Sequence, residues 1–257
     1  MTKPTVLLKA LGAGLIVMFA TSSANAATIN LTGIIRDFND THPDFEKELG
    51  PDKGIVQSIL GADNKPVYAG GLGTATTHGQ AAFDQWYRDV PSVNLSKQHT
   101  ITLNEIGNSG LYTYSSNSFF PIDNQLFGNQ GRVHNYHFTY EIASQFTYQP
   151  GQTFEFTGDD DLWVFLNKQL VIDLGGVHKA ESQSVNLDTL GLTPGKTYDF
   201  NLFFAERHTT ESNFSITTSI ALESSSVPEP LTLGGTVVAG AFGWWIKRKR
   251  QKTSRTA

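Results

Sequence analysis

Phe156-Thr157-Gly158-Asp159-Asp160-Asp161-Leu162-Trp163-Val164-Phe165-Leu166-Asn167-Lys168-Gln169-Leu170-Val171-Ile172-Asp173-Leu174-Gly175-Gly176-Val177-His178 is the stretch that decides the fold of this 257-residue chain. Two apolar runs flank a short polar turn, the pattern of a β-hairpin. Asn167 is not followed by glycine, as a two-residue turn prefers, so a three-residue loop is expected. The Gly175-Gly176 pair bends the chain after the second strand. Upstream, Thr153-Phe154-Glu155-Phe156 alternates polar and apolar residues. Downstream, Tyr198, Phe200, Leu202 and Phe204 share one strand face, with Asp199 and Asn201 on the other. Phe214, Ile216, Thr218, Ile220 and Leu222 repeat the pattern, and residues 137–142 form another such run. Gln149-Pro150-Gly151 and Thr193-Pro194-Gly195-Lys196 are turn signals between them. Short strands with Gly/Pro punctuation predict an all-β fold, a jelly-roll-like β-sandwich.

The N-terminal half reads differently. Residues 31–132 show weak periodicity, many Gly and Asn, and scattered aromatics. Only residues 80–88, with Ala81, Ala82, Phe83, Trp86 and Tyr87, predict a short helix. Long irregular insertions on one sandwich, spanning 27–223, account for this region better than a second domain. There is no cysteine, so no disulfide supports the fold, while 17 Phe and 8 Tyr offer ample aromatic surface to bury.

Both ends carry targeting signals. Lys3 and Lys9, an apolar run over residues 11–20 and Ala24-Asn25-Ala26 have the order of a secretory signal peptide over 1–26, cleaved between Ala26 and Ala27. At the other end, a Ser/Pro linker leads to an uncharged span over 231–246, then Lys247-Arg248-Lys249-Arg250. A helix over that span reaches about 24 Å, short of a bilayer core of about 30 Å. The Trp244-Trp245 pair and the basic cluster orient it with the main domain outside. Val227-Pro228-Glu229-Pro230, the span and the basic end together resemble the PEP-CTERM sorting signal. That resemblance implies a transient anchor in the inner membrane of a Gram-negative bacterium and recognition by an exosortase.

Setting aside these ends removes eight basic residues and Glu229. What remains carries 11 basic and 23 acidic side chains, a net charge of −12. Such a surface does not bind nucleic acid by neutralising phosphates, and suits divalent cations or neutral glycans.

Asp159-Asp160-Asp161 is the densest polar feature. Three adjacent carboxylates repel one another, and solvent, hydrogen bonds or a cation must offset this. Ca²⁺ takes six to eight oxygen ligands, so the trio is a candidate metal site, with a solvated acidic turn as the alternative. Asp173 and His178, on and just after the hairpin, are further candidate ligand-binding residues. Glu206-Arg207-His208 reads as an ion pair with a surface histidine. His134 and His137 point to opposite strand faces and do not share a metal. No Gly-x-Ser-x-Gly elbow occurs, and adjacent aspartates cannot flank a glycosidic bond from both sides, so no enzyme is expected.

The quoted stretch, together with Phe203-Phe204-Ala205-Glu206-Arg207-His208-Thr209-Thr210-Glu211-Ser212-Asn213-Phe214, resembles the fibro-slime domain. Arg36-Asp37-Phe38, Ala82-Phe83-Asp84-Gln85-Trp86-Tyr87-Arg88 and His134-Asn135-Tyr136-His137-Phe138 fit as well. That family is similar to the lectin-like sandwich of protective antigen. In its sugar-binding members two consecutive aspartates joined by a cis peptide hold Ca²⁺ that bridges to sugar hydroxyls. The resemblance implies these roles for Asp159 and Asp160, with Asp161 where glycine usually stands. The function it implies is an exported surface or matrix module that binds glycan or exopolysaccharide through Ca²⁺, in adhesion or biofilm. The competing readings are a non-lectin structural matrix protein and, least supported, a secreted glycoside hydrolase.

Overall fold

The computed structural model describes residues 27–46 and 49–223. The signal peptide, with Ala26, and the tail, with Val227, Pro228, Glu229 and Pro230 and the span over 231–246, lie outside the described residues. Among the described residues no helix is long and apolar enough to cross a membrane.

The chain forms β1 (Thr28–Phe38), β2 (Gly50–Pro51), β3 (Asn94–Glu105), β4 (Tyr112–Ser116), β5 (Phe138–Thr147), β6 (Thr153–Gly158), β7 (Asp161–Leu166), β8 (Gln169–Leu174), β9 (Gly176–Val177), β10 (Glu181–Asn186), β11 (Thr197–Glu206) and β12 (Phe214–Thr218). Ten strands make one antiparallel sheet in the order β10-β6-β12-β4-β3-β1-β5-β11-β7-β8. It folds over on itself, and β10 lies beside β8, so the two edges meet. The result is a β-sandwich. Phe154 and Phe156 of β6, Tyr140, Ile142 and Phe146 of β5, Phe200, Leu202 and Phe204 of β11, and Phe214 and Ile216 of β12 share its core. Alternation along β11 and β12 sends these residues inward, as the period of two requires.

β7 is buried on both faces. Leu162, Val164 and Leu166 face the main core. Trp163 and Phe165, with Phe203 and Ala205 of β11, face a second cluster made by Ile55, Val56, Leu60, Tyr68, Phe83, Trp86 and Tyr87. The irregular segment is thus a packed cover over the outer face of the β11-β7-β8 side.

Three sequence expectations change. The N-terminal half contains two long strands, β1 and β3, paired along their whole length from Thr28↔Asn104 to Phe38↔Asn94. β3 buries only Ile101 and Leu103 among its apolar side chains, so its alternation is faint. The helix is a single turn, Gln80–Phe83, and Trp86 and Tyr87 continue it as non-helical turns. The hairpin between β7 and β8 has a two-residue loop, with Leu166 opposite Gln169. Asn167 and Lys168 both have positive φ, 48° and 66°, the geometry of a two-residue primed turn achieved without glycine. A register shift after Val164 absorbs the extra residue.

Candidate functional site

Strands β6 and β7 lie on opposite sides of the sandwich, so Asp159-Asp160 bridges its end. None of the three aspartates is solvated. Asp159 and Asp160 are 4% exposed and Asp161 is fully buried. The solvated-turn reading therefore gives way, and internal hydrogen bonds offset the repulsion.

Each carboxylate has its own partners. Asp161, the first residue of β7, accepts Arg207 Nε at 2.5 Å and the Gly176 amide at 2.7 Å. Arg207 is itself buried. It donates to Asp44 O at 3.0 Å, Thr76 O at 2.6 Å and Thr76 Oγ1 at 3.1 Å, and lies 4.7 Å from the Trp86 ring centroid. Trp86 Nε1 in turn donates to Asp44 Oδ2 at 3.0 Å. Asp160 sits at φ 54° and accepts the amides of Arg207 and His208 at 2.7 and 3.0 Å. Asp159 accepts the Asn213 amide at 2.6 Å and its side-chain nitrogen at 2.7 Å. The Asp159–Asp160 peptide is trans, which corrects the cis bond implied by the lectin resemblance.

The expected Glu206-Arg207-His208 ion pair is also corrected. Arg207 pairs with Asp161, not with Glu206, and it is buried because it neutralises a buried carboxylate. Glu206 is 1% exposed, and its Oε2 has no hydrogen-bond partner. Burial, with Asp160 and Asp159 beside it, pushes the Glu206 carboxyl well above the usual range. Burial likewise raises Asp159 and Asp161, and takes Asp160 to about 7 against the opposing pull of Arg207.

A cleft of about 390 Å³ opens over Asp159 and Asp160. Leu49, Pro51, Val177, His178, Lys179, Thr210 and Glu211 line it with them. His178 is thus brought to the aspartates, and its carbonyl accepts the Asp160 amide at 3.3 Å. Asp173 is not in the cleft. Its carboxylate accepts Trp163 Nε1 at 3.0 Å and the Gly54 amide at 2.9 Å, fixing the hairpin to the cover. His134 and His137 take separate partners, Asp123 and Glu46, each at 2.6 Å. Among the described residues no group of three or more His, Cys, Asp or Glu is gathered to hold a metal ion.

Sequence reading missed Asn213, Arg207 as the partner of Asp161, and the supporting Asp44 and Thr76. The signal for Arg207 was three clustered acids and one basic residue directly after the aromatic-rich strand β11. Nothing in the sequence marks Asp44 or Thr76.

Residues 107–231 of this all-β chain match the family model of the PA14 domain. β1 and β3, which complete the sheet, precede the matched residues. Protein psiR of Dictyostelium discoideum is 42% identical over 225 residues, covering 80% of this chain and 23% of its own. Protein psiQ of the same organism is 47% identical over 212 residues, covering 76% and 21%. Protein psiD is 41% identical over 222 residues, covering 80% and 44%. The chain spans less than half the length of these curated relatives. Among solved structures, a PA14 sugar-binding domain from an RTX adhesin is similar at TM-score 0.31 and 9% identity, over 75% of this chain and 94% of that one. Similarity that low assigns no residue-by-residue correspondence.

Proposed function

We propose that this protein is an exported surface or matrix binding module that takes glycan at the Asp159–Asp160 cleft through a bound Ca²⁺. The observation that carries the reading is the geometry of the pair. Two nearly buried carboxylates are pinned by Asn213 and by the amides of residues 207 and 208, and their remaining access is the cleft. The donor set suits a hard cation, since it consists of the carboxylate oxygens of Asp159 and Asp160. Asp161 is withdrawn from it by Arg207. With two carboxylates at the site, backbone carbonyls, water and sugar hydroxyls would complete the coordination shell. The PA14 match supports a carbohydrate-binding, adhesion-type role.

Calorimetric titration of the full chain with Ca²⁺, followed by a glycan array with and without chelator, tests this. Ca²⁺ heat and chelator-sensitive glycan signal are expected, and both are lost in Asp159→Asn/Asp160→Asn. Absence of both signals in the unsubstituted protein sinks the reading. The competing assignment, a structural matrix protein of fibro-slime type, has one observation in its favour: every carboxylate of the trio is already hydrogen-bonded within the protein. It is favoured if the double variant loses stability in chelator as well as in Ca²⁺.

Export by the N-terminal signal, transient anchoring by the span over 231–246 and removal by an exosortase complete the proposal. Pro228→Ala with Glu229→Ala is expected to leave the tail attached. An unchanged mature size in that variant rules the sorting step out.

A further inference from the structure

The outer face across β10, β6, β12, β4, β3 and β1 is built differently from the rest of the surface. Strand register aligns one continuous row on it. Ser184 stands opposite Glu155, Glu155 opposite Thr217, Thr217 opposite Thr113, Thr113 opposite Asn104, and Asn104 opposite Thr28. Their sequence neighbours, among them Phe154, Ile216, Leu103 and Ile29, pack into the core, so the period of two turns the row outward. Ser184, Glu155, Asn104 and Thr28 are exposed, and Thr217 and Thr113 are half-buried. Ser182, Thr157, Ser215 and Ser115 make a second row beside the first. Thr102 opposite Asn30 and Thr100 opposite Thr32 continue the pattern on β3 and β1. Neighbours in these rows are tied together. The Thr157 and Ser182 hydroxyls lie 2.6 Å apart, those of Thr32 and Thr100 2.8 Å, and those of Thr113 and Thr217 3.3 Å. Thr102 Oγ1 donates to Asn30 Oδ1 at 2.8 Å. Such bonds fix the hydroxyls and leave their remaining lone pairs toward solvent. Glu155 is the one charged side chain in the rows, whereas a soluble surface is roughly a quarter to a third charged. Strand propensity accounts for the threonines, but not for Asn104, Asn30 or the serines. Folding and solubility therefore leave this composition unexplained.

We propose that this face docks a single extended chain of a neutral polysaccharide, lying across the strands along the rows, and that it does so without Ca²⁺ and without Asp159 and Asp160. Neighbouring strands lie about 4.8 Å apart, so the longer row spans about 24 Å and sets one polar side chain against roughly each pyranose unit of a chain laid along it. Strand twist of about 20° per neighbour turns that row through roughly 100° between β10 and β1. A rigid lattice, whether ice or a crystalline fibre, cannot follow the turn, and a single polymer chain can. Charge excludes other partners. Nucleic acid needs lysine and arginine against its phosphates, and the rows hold neither. A polyanion is repelled by a chain whose net charge without its two ends is −12. A lipid surface needs an apolar face, and the rows present none. A neutral polyhydroxylated chain needs only donors and acceptors. Because neighbours already hold these hydroxyls in place, little side-chain entropy is lost on docking.

The test is affinity electrophoresis of the full chain in native gels cast with hydroxyethylcellulose, with glucomannan or with alginate, with chelator present throughout so that a Ca²⁺ site is silent. Retardation by the two neutral polymers and none by alginate is expected, and Asp159→Asn/Asp160→Asn should leave it unchanged. Asn104→Lys/Ser184→Lys sets two long charged side chains in the longer row at exposed positions. It is expected to weaken binding about tenfold, because a docked chain must strip water from an unpaired ammonium. Asn104→Thr/Ser184→Thr, which keeps the row uncharged, should bind as the unsubstituted protein does. Ser115→Lys, exposed in the second row, reports the same loss if the double lysine variant does not melt like the unsubstituted protein. No retardation of the unsubstituted protein overturns the proposal, and so does equal retardation of folded lysine variants. Retardation that Asp159→Asn/Asp160→Asn removes belongs to the cleft and also overturns it. If sedimentation instead finds a dimer that the lysine substitutions split, with no polymer bound, the face joins two copies of this chain and the proposal falls, while the Ca²⁺ reading of the cleft is untouched.

Discussion

At Arg207 a single side chain joins three parts of the molecule: the acidic loop through Asp161, the cover through Asp44 and Thr76, and the ring of Trp86. Removing it leaves the Asp161 carboxylate buried with no cation beside it. Arg207→Met is therefore expected to cost about 3–5 kcal/mol in denaturant unfolding. Arg207→Lys should recover only part of this, because an ammonium cannot supply the planar fork that serves Asp161, Asp44 O and Thr76 at once. A loss below about 1 kcal/mol in either variant contradicts the hub role. Asp37 is the complementary case, a buried carboxylate with no cation. It accepts the Phe127 amide at 2.7 Å and Asn135 Nδ2 at 3.0 Å, and burial raises it to about 6. The folded protein holds this proton more tightly than the unfolded chain, so Asp37 lowers stability as pH rises from about 4 to 6. The swing is about 3 kcal/mol at most. Measured against Asp37→Asn, which cannot ionise, the native protein should lose relative stability across that window and be level outside it. Parallel pH profiles for the two proteins dismiss the effect.

The same close fit governs whole strands. Gly33 lies in the middle of β1, opposite Ile142 of β5. A Cβ there would strike Glu141 O and come within 2.7 Å of Tyr140 Cε2. The Tyr140 ring crosses that space and its hydroxyl donates to His99 O at 3.0 Å. Gly33→Ala is expected to destabilise by about 3 kcal/mol, since a central strand pair and a core tyrosine must both shift. Gly50→Ala, where a Cβ meets nothing within 4 Å, should stay within about 0.5 kcal/mol. Thermal melts that rank the two equally refute the packing argument. Gly33 also shows why β1 was illegible in sequence: the glycine interrupts the apolar face between Leu31 and Ile35, and Arg36 and Asp37 break its end. β11, with four bulky residues in step from Tyr198 to Phe204, was plain. The hairpin was legible in its strands but not in its loop, because Asn167 and Lys168 adopt positive φ without the glycine that advertises it. The aspartates were visible as a cluster. Their division into a cleft-facing pair and an ion-paired third depended on Arg207, 46 residues away, which spacing does not reveal.

On the scale of the molecule, the question is whether the cover over residues 55–87 is an appendage or part of the folding unit. Its aromatic side chains meet the sheet directly: Phe83 and Trp86 lie 5.9 and 6.1 Å from the Trp163 ring, and Tyr87 lies 4.9 Å from that of Phe203. Thr139 of β5 donates its hydroxyl to Trp86 O at 2.5 Å, and the cover chain pairs with the hairpin through Leu60 N to Lys168 O at 3.0 Å and Leu170 N to Ser58 O at 2.9 Å. Losing the cover would expose Trp163 and Phe165 and uncover Arg207 and Asp161 together, a penalty comparable to the 5–15 kcal/mol that stabilises a typical domain. Local opening of the cover should thus be nearly as costly as global unfolding. Native-state hydrogen exchange provides the measurement. The Ala69 and Leu60 amides, which donate to Ile55 O and Lys168 O, are expected to exchange with opening free energies within about 1 kcal/mol of those of β7 and β11. Trp86→Ala, which removes the ring under Arg207 and the donor to Asp44, should lower protection of cover and sheet together by about 3–5 kcal/mol. If the cover amides instead exchange several kcal/mol more easily than the strands, the cover is a separately opening lid, and the end of the sandwich that carries Asp159 and Asp160 folds without it.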